Sequence, residues 1–238
     1  MSDVLVQQRW DDEYRRGRYR NEPPIPFVDT ILATLREQPQ LMSKPGLYVG
    51  CGSGRNYLPL IESGLDLYGI DVSPEAVRQL AEQSPATASR VICGDFRSFG
   101  FGRGPQFHSC VAIQVFQHGT EADAVLYFRR AADLLHQRGL FFLRVNSAAT
   151  QVYHRHTVVE RTALGGFTVR YEEGPKAGLC VHFYSRDELL ERTSGRFEAL
   201  LQPREVVIHR APPQSGSWAQ WEAIWRRTDT DSLNGPSS

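Results

Sequence analysis

A glycine-rich loop is the first feature of this sequence whose residue types and spacing suit a chemical task. Gly50, Gly52 and Gly54 form a Gly-x-Gly-x-Gly pattern directly after a short apolar run. Glycine lets the backbone approach a ligand closely and adopt positive φ, and the N-terminus of a following helix offers unpaired N–H groups. The pattern predicts a loop that binds an anionic or polar group. A simple turn is the alternative.

The spacing of this loop differs from that of two common nucleotide-binding loops. A dinucleotide fingerprint requires Gly-x-Gly-x-x-Gly, and a phosphate-binding loop requires a lysine after its last glycine. Here a single residue separates Gly52 from Gly54, and Arg55 and Asn56 come next. We therefore expect neither a nicotinamide dinucleotide nor a nucleoside triphosphate at this loop.

Two carboxylates further along the chain indicate a nucleoside. Asp71 ends the next apolar run, where a carboxylate can accept hydrogen bonds from both hydroxyls of a ribose. Asp95 ends a third run, where it can accept from an exocyclic amine while Phe96 offers an apolar edge to a purine ring. A solvated loop position or a helix-capping role is the alternative for Asp71 alone, but the order of the three segments favours the nucleoside.

These segments need a scaffold that brings them together, and the hydrophobic pattern predicts one. Apolar runs with the length of strands occur at residues 47–49, 67–70, 90–93, 107–115 and 140–145. Helical patterns separate them, including one opened by Ser73 and one at residues 120–139 with a capping box at its start. Strands that alternate with helices form a parallel sheet covered on both faces, whose carboxyl ends meet in one crevice. The fold class predicted is therefore doubly wound α/β.

The alternation stops after residue 146. Residues 157–171 and 179–184 have extended patterns joined by a Gly/Pro turn, which predicts an excursion from the sheet at about residues 147–185. Two further strands at residues 197–208 and 218–225 are close enough in sequence to pair antiparallel. We therefore expect a mainly parallel seven-stranded sheet with an antiparallel terminal hairpin.

Composition excludes several classes of protein. The chain has 238 residues, of which 41% are hydrophobic, so it can bury a core and is not disordered. Its 27 basic and 27 acidic residues cancel, which disfavours non-specific binding to nucleic acid. The four cysteines have no paired spacing, and neither a signal-peptide core nor a long apolar span is present. We expect a cytoplasmic protein with reduced thiols, no membrane segment and no metal site.

The segments LYVGCGSGRN, LYGIDVSPEAV and CGDF resemble, in this order, motifs I, II and III of the class I S-adenosylmethionine-dependent methyltransferases. The resemblance spans about residues 25–145, and the terminal hairpin is similar to that of the same fold. It implies S-adenosylmethionine as the cofactor, S-adenosylhomocysteine as the product, and in-line displacement onto an O, N or S atom of a small molecule. It also implies a lid segment at residues 1–24, a single methyltransferase domain at 25–227 and a loose tail at 228–238.

The resemblance assigns roles by position. The glycines lie against the methionine part of the cofactor, Asp71 holds the ribose, and Asp95 with Phe96 holds the adenine. The cofactor-binding residues implied are Trp10, Tyr14, Gly50, Cys51, Gly52, Gly54, Asn56, Asp71, Val72, Asp95, Phe96, Gln114 and Val115. One position departs from the family pattern, because Tyr48 stands where an acidic residue normally precedes the first glycine by two positions.

Residues for the acceptor side are predicted from their places near strand ends. His118, in the segment VFQHG, is the candidate general base, and a histidine that enters a helix and bonds to the backbone is the alternative. Tyr19, Arg144 and Asn146 are the predicted substrate-binding residues, with core pairing of Arg144 as the alternative. No metal ligand is assigned.

The arginines and aromatic residues near the start of the chain leave the acceptor open. They suit a lid over cofactor and substrate, a solvated helix face, or a patch that contacts RNA. The alternative functions are an RNA methyltransferase and a non-catalytic S-adenosylmethionine-binding protein, the latter suggested by Tyr48. The Asn/Asp-Pro-Pro-aromatic signature is absent after the fourth strand, which disfavours methylation of DNA adenine. The sequence does not predict an oligomeric state.

Overall fold

The computed structural model describes residues 3–19 and 22–229, so the predicted tail at 228–238 lies outside the described residues except for its first two positions. The strands are β1 Gly46–Val49, β2 Leu67–Asp71, β3 Val91–Cys93, β4 Phe107–Ile113, β5 Leu135–Asn146, β6 His156–Arg161, β7 Phe167–Tyr171, β8 Cys180–Phe183, β9 Phe197–His209 and β10 Ser217–Arg227. The helices are α1 Asp3–Arg15, α2 Phe27–Arg36, α3 Pro39–Met42, α4 Tyr57–Glu62, α5 Pro74–Gln83, α6 Glu121–Leu134 and α7 Arg186–Thr193, with a 3₁₀ turn at Pro85–Arg90.

Seven of these strands form one sheet in the order β3-β2-β1-β4-β5-β10-β9. The first five run parallel, whereas β10 lies antiparallel to both β5 and β9. The prediction of a doubly wound, mainly parallel seven-stranded sheet with an antiparallel terminal hairpin is confirmed. The order changes direction at β1 and β4, which is where an open α/β sheet leaves a crevice for a ligand.

Apolar clusters cover both faces of the sheet, because its central strands are buried on both sides. On one face Ile31 of α2 packs with Phe142 of β5 in a cluster that also includes α4. On the other face Phe128 of α6 meets Phe141 edge-on, with ring centroids 5.8 Å apart, and Phe141 stacks on Trp225 of β10. Full burial of each such ring contributes roughly 1.5–3 kcal/mol, so these clusters hold the strand ends in register.

Helix α6 begins where the sequence predicts but ends earlier. Thr120 and Asp123 form the capping box, in which each side chain accepts a hydrogen bond from the backbone N–H of the other residue. The predicted helix reached residue 139, whereas the structure ends it at Leu134 and begins β5 at Leu135. Pairing of β5 with β4 starts at Leu135, so strand hydrogen bonding replaces the last helical turn.

The predicted excursion forms a small antiparallel sheet in the order β6-β7-β8, followed by α7. It is attached to the loop after β4, because Gly119 N–H donates to the Cys180 carbonyl at 3.0 Å and His182 N–H donates to the Gln117 carbonyl at 2.7 Å. The turn between β7 and β8 then reaches α1, where a Leu5 methyl lies 3.7 Å from the place a Cβ on Gly178 would take.

Helix α1 is joined to the N-terminus of α5. The Asp11 carboxylate accepts from Ser73 Oγ at 2.5 Å and from Glu75 N–H at 3.1 Å. Gln79 Nε2 also donates to the Tyr14 carbonyl at 3.0 Å. A carboxylate at a helix N-terminus is favoured by the unpaired N–H groups there, so these bonds hold α1 over the sheet edge. Among the described residues, no helix has the length and apolar character needed to cross a membrane.

Candidate active site

A pocket with about 980 Å³ of empty space, its open mouth included, lies at the carboxyl ends of β1, β2, β3 and β4. Most of the predicted site residues line it. They are Trp10, Tyr14, Tyr19, Gly50, Cys51, Gly52, Asn56, Asp71, Val72, Asp95, Phe96, Gln114, Val115 and His118. The structure therefore brings together segments that are far apart in sequence.

The glycine loop follows β1 and has a backbone conformation that requires glycine. Gly50 and Gly52 have φ values of +70° and +56°, in the left-handed region that favours glycine. A Cβ on Gly52 would lie 2.5 Å from the Tyr14 hydroxyl oxygen, and one on Gly50 would lie 2.1 Å from a Val115 methyl. The loop therefore lies closely against both α1 and the end of β4.

The Asp71 carboxylate joins this loop to the end of β2. It accepts hydrogen bonds from Gly52 N–H at 2.8 Å and from Ser73 N–H at 2.9 Å. Burial raises the pKa of Asp71 to about 6. The negative charge of nearby Asp11 adds to this shift, whereas the hydrogen bonds from the backbone N–H groups oppose it. The Val72 backbone N–H also acts on this carboxylate. A carboxylate has about four acceptor positions, so capacity remains for a hydroxyl donor in the pocket.

The Asp95 carboxylate is held by an arginine that the sequence analysis missed. Arg97 reaches it with Nε at 3.0 Å and Nη2 at 2.5 Å, and extends Nη1 to Asp123 at 2.6 Å. The pairing was readable in principle from the Asp-x-Arg spacing, but the bridge to Asp123 joins residues that only the fold brings together. The acid therefore has a fixed orientation at the pocket wall.

Aromatic rings form an apolar wall next to Asp95. Phe96 is buried, and its ring is almost parallel to that of Tyr127, with an interplanar angle of 6° and centroids 6.2 Å apart. Tyr127 comes from α6, lines the same pocket and was not predicted. Helical spacing alone marks Tyr127 as a core residue, and only the packing of α6 on the sheet shows that it borders the pocket.

Aromatic side chains from α1 and from the turn that follows it line the pocket. Trp10 meets the His118 ring edge-on, with centroids 5.0 Å apart, and Tyr14 lies over Gly52 with Tyr19 6.3 Å away, centroid to centroid. Burial raises the pKa of Tyr14 well above its usual value, and the charge of Asp71 adds to the shift. The Tyr14 phenol is therefore neutral, and it supplies one O–H donor at the glycine loop.

His118 lies directly behind the lid. Its Nδ1 is buried and has no hydrogen-bond partner among the described residues. Burial and the nearby charge of Lys176 lower the pKa of His118 well below its usual value, while a hydrogen bond with the Gln114 backbone opposes the shift. The imidazole is therefore neutral at neutral pH, which leaves one ring nitrogen able to accept a proton.

Two predicted substrate residues lie outside the pocket, so their expected placement in the crevice is wrong. Arg144 Nε lies 3.3 Å from the buried Glu222 carboxylate, which Arg204 also contacts at 2.8 Å. The Asn146 side-chain oxygen accepts from Trp218 Nε1 at 3.1 Å and from another β10 side chain at 3.2 Å. The physical reason is the position of β10 beside β5, which supplies polar partners within the sheet. The core-pairing alternative for Arg144 is the one observed.

Gly54 does not line the pocket either. It has φ of +102°, and a Cβ there would lie 2.8 Å from methyl groups of Leu58 and Leu80. Its lack of a side chain lets the loop pack against α4 and α5. The third glycine of the pattern therefore serves helix packing.

Tyr48 occupies the position where an acid was expected. It is buried and lines the pocket, and its ring meets Tyr57 edge-on with centroids 5.8 Å apart. Burial raises the pKa of Tyr48 above its usual value. This position therefore carries a neutral hydroxyl in place of a negative charge.

Comparison with known proteins agrees with this geometry. Residues 47–139 match the family model described as a methyltransferase domain. The solved structure of 1,6-didemethyltoxoflavin-N1-methyltransferase from Burkholderia thailandensis, with bound 1,6-didemethyltoxoflavin and S-adenosylhomocysteine, aligns with a TM-score of 0.64 at 17% identity, over 95% of this chain and 88% of that chain. Residues 47–139 are therefore similar to a methyltransferase domain, and the chain shares the fold of this solved methyltransferase.

Other solved structures share the fold of this chain. Magnesium protoporphyrin IX methyltransferase from Synechocystis, with bound S-adenosylhomocysteine, aligns with a TM-score of 0.64 at 14% identity, over 95% of this chain and 99% of that chain. The CcbJ methyltransferase from Streptomyces caelestis aligns with a TM-score of 0.61 at 17% identity, over 96% and 100% of the two chains. No curated protein sequence matches the chain.

Proposed function

We propose that this methyltransferase domain transfers the methyl group of S-adenosylmethionine to an O, N or S atom of a small molecule. One observation carries the proposal. The ends of four adjacent strands place Gly52, Asp71, Asp95 and His118 around a single pocket, and the aromatic side chains of α1 cover it.

The chemistry of the pocket fits this cofactor. The three atoms nearest to the place of a Cβ on Gly52 all belong to Tyr14, whose hydroxyl oxygen lies 2.5 Å from it. Asp71 has acceptor capacity for the ribose, and the Phe96 and Tyr127 rings give an apolar surface suited to adenine. The backbone N–H groups and hydroxyls at the glycine loop suit the methionine part, with Tyr48 as a neutral partner where the family has an acid.

When bound, S-adenosylmethionine supplies a methyl group that its positive sulfur has already activated. The protein then has to bind the cofactor and the acceptor, align them and exclude water. In-line displacement depends on close approach of the two reacting atoms more than on a charged catalyst. Trp10 and Tyr14 line the pocket, where they reduce the access of water to a bound ligand. The neutral His118 ring can accept a proton from an O–H, N–H or S–H acceptor at the end of β4.

The structure supports a small acceptor over RNA. Three of the arginines that suggested an RNA patch are paired within their own segment, since Arg15 contacts Asp12 at 3.1 Å, and Glu13 contacts Arg16 at 3.3 Å and Arg18 at 2.9 Å. Trp10 lines the pocket, so it does not offer an open face for base stacking. The four cysteines are unpaired, which supports a reducing, cytoplasmic location.

Calorimetry with S-adenosylhomocysteine tests cofactor binding. Asp71→Asn should weaken binding by roughly 1–3 kcal/mol, the scale of lost charge-assisted hydrogen bonds. The exposed Asp133→Asn is the matched control and should bind like the wild type, and thermal unfolding of both variants checks that they are folded. Absence of binding by the wild type would contradict the proposal.

Turnover is tested with a radiolabelled methyl donor and a metabolite extract. Label in small molecules supports the proposed reaction, whereas label confined to RNA or protein contradicts the assigned acceptor class. Binding without any labelled product favours the non-catalytic alternative suggested by Tyr48.

A further inference from the structure

A second, smaller hollow adjoins the first, between α1 and the turn that joins β7 to β8, with about 220 Å³ of empty space that includes its open mouth. Its lining residues are Arg9, Trp10, Glu13, Arg18, Tyr19, Pro175, Lys176 and Leu179. Trp10 and Tyr19 line both pockets, so the two share a wall. The smaller hollow therefore borders the place where the acceptor would enter.

Positive charge dominates this hollow. Three of its lining residues are cationic and only Glu13 is acidic. The Glu13 carboxylate is already occupied, because one oxygen lies 2.9 Å from Arg18 and the other 3.3 Å from Arg16. Among the described residues, neither Arg9 nor Lys176 has an ion-pair partner, and Arg9 Nε is buried without a hydrogen bond.

Two half-buried cations without partners are unfavourable in a purely structural role. Burial removes water from the two charges, and no ion pair takes its place. It also lowers the pKa of Lys176 to about 8, a shift that Arg18 increases and Glu13 opposes. Charges that serve only the fold are normally paired when they are removed from water. The arrangement is typical of a site whose counter-ion arrives with a ligand.

The cation cluster does not reflect a generally basic surface. The whole chain carries equal numbers of basic and acidic residues, and only two of its 27 basic residues are lysines, Lys44 and Lys176. Some arginines elsewhere are paired, as Arg78 is with Glu75 at 2.6 Å and with Glu82 at 2.5 Å, and others that have no ion pair, such as Arg129, are exposed to water. The hollow therefore concentrates three cations in a chain that has no net charge.

The hollow is also close to the candidate base. The charge of Lys176 acts on His118, and Trp10 contacts the His118 ring. An acceptor whose reacting atom lies at His118 would thus extend past Trp10 and Tyr19 toward Lys176 and Arg9. The two aromatic rings suit an apolar body, and the cations suit an anionic end.

We propose that Arg9 and Lys176 bind an anionic group of the methyl acceptor, so that the substrate is a small molecule with an apolar body and a carboxylate or phosphate. The inference rests on the proposed function, and it goes beyond it by naming the substrate class. Arg9 and Lys176 are substrate-binding residues in this assignment, and His118 remains the group at the reacting atom.

The first experiment identifies the charge of the acceptor. A metabolite extract is separated on an anion exchanger at neutral pH before it is incubated with the enzyme and radiolabelled S-adenosylmethionine. We expect label to enter compounds from the retained, anionic fractions. Treatment of these fractions with alkaline phosphatase distinguishes the two groups, because it abolishes labelling for a phosphate and leaves it unchanged for a carboxylate. Label confined to the unretained fractions overturns the proposal.

The second experiment tests the two cations with the labelled acceptor. Lys176→Met and Arg9→Gln should each raise KM for the acceptor about tenfold or more, with kcat changed less and the affinity for S-adenosylhomocysteine unchanged. Lys176→Arg keeps the charge and should keep the KM. Matched controls are the exposed Lys44→Met and Arg129→Gln, which should match the wild type.

The outcomes separate this inference from the proposed function. If the wild type does not bind S-adenosylhomocysteine, the proposed function fails. If it binds and methylates, but Lys176→Met and Arg9→Gln leave KM unchanged, the anion site alone is refuted. If both variants weaken S-adenosylhomocysteine binding, the cations hold the carboxylate of the cofactor, which also overturns the assignment to the acceptor.

Discussion

The contact between Gly52 and Tyr14 yields a prediction that tests whether the lid is closed over the glycine loop. In Gly52→Ala the new methyl group would lie 2.5 Å from the Tyr14 hydroxyl oxygen, and the next Tyr14 atom would be 3.3 Å away. Alanine at the φ of +56° also carries backbone strain of roughly 1–2 kcal/mol. Tyr14 is buried, so its ring has to shift against its neighbours, which typically costs a further ~1–3 kcal/mol.

A second glycine separates strain from steric contact. Gly64 also has positive φ, +92°, but a Cβ there meets nothing within 4 Å. Gly64→Ala should therefore lower the free energy of unfolding by the strain alone, about 1–2 kcal/mol. Gly52→Ala should lower it by about 2–5 kcal/mol and should weaken binding of S-adenosylhomocysteine at least tenfold, since the methyl group occupies the proposed ligand space.

The double-mutant cycle with Tyr14→Phe decides the argument. Phenylalanine removes only the oxygen that the new methyl group would meet, so Gly52→Ala/Tyr14→Phe should recover about 1–2 kcal/mol relative to Gly52→Ala. Urea unfolding measures the four free energies, and calorimetry measures the four affinities. If Gly52→Ala costs the same as Gly64→Ala and Tyr14→Phe recovers nothing, the lid does not lie on the loop, and the geometry of the covered pocket is refuted.

Three further predictions follow from charged groups. Folding raises the pKa of Asp71 to about 6, so the protonated carboxyl is favoured in the folded state. Its contribution to the free energy of unfolding is fully present below about pH 4 and is lost as the pH rises through 6. Urea unfolding at a series of pH values should show this loss in the wild type and not in Asp71→Asn. Arg144→Met should lower the free energy of unfolding by about 3 kcal/mol, because it leaves Glu222 buried with only Arg204, yet calorimetry should show unchanged S-adenosylhomocysteine affinity. KM for an anionic acceptor should rise above about pH 8 as Lys176 loses its proton among Arg9, Arg18, Glu13 and His118, and a pH profile of Lys176→Arg should lack this rise.

Much of the scaffold was predictable because its signals are local. The capping box of Thr120 and Asp123 satisfies N–H groups within one helical turn, and Ser73 does the same for α5. The alternation of strands and helices specifies a parallel sheet, since each crossover has to return over it. The positions of Gly52 and Asp71 at strand ends then place them at one edge, and the hydrogen bond between them follows.

The acceptor side could not be predicted in the same way. Arg144 was expected in the crevice because it lies near the end of β5, but the neighbouring β10 supplies Glu222 as its partner. Nothing in the local sequence around Asp95 shows that Arg97 also reaches Asp123. Such contacts depend on which strand inserts beside another and on how a helix is rotated, and both are set by packing across the whole domain.

The sequence by itself determined the sheet, the glycine loop and the strand ends that line the cofactor side of the pocket. The reason is that secondary-structure periodicity, capping and glycine conformation act over a few residues. Only the tertiary structure decided that Trp10 contacts His118. It also decided that Arg9 lines the same hollow as Lys176, which lies in a turn more than 160 residues further along the chain. Side chains so distant in sequence meet only after loop closure, and their electrostatic surroundings are created by that meeting.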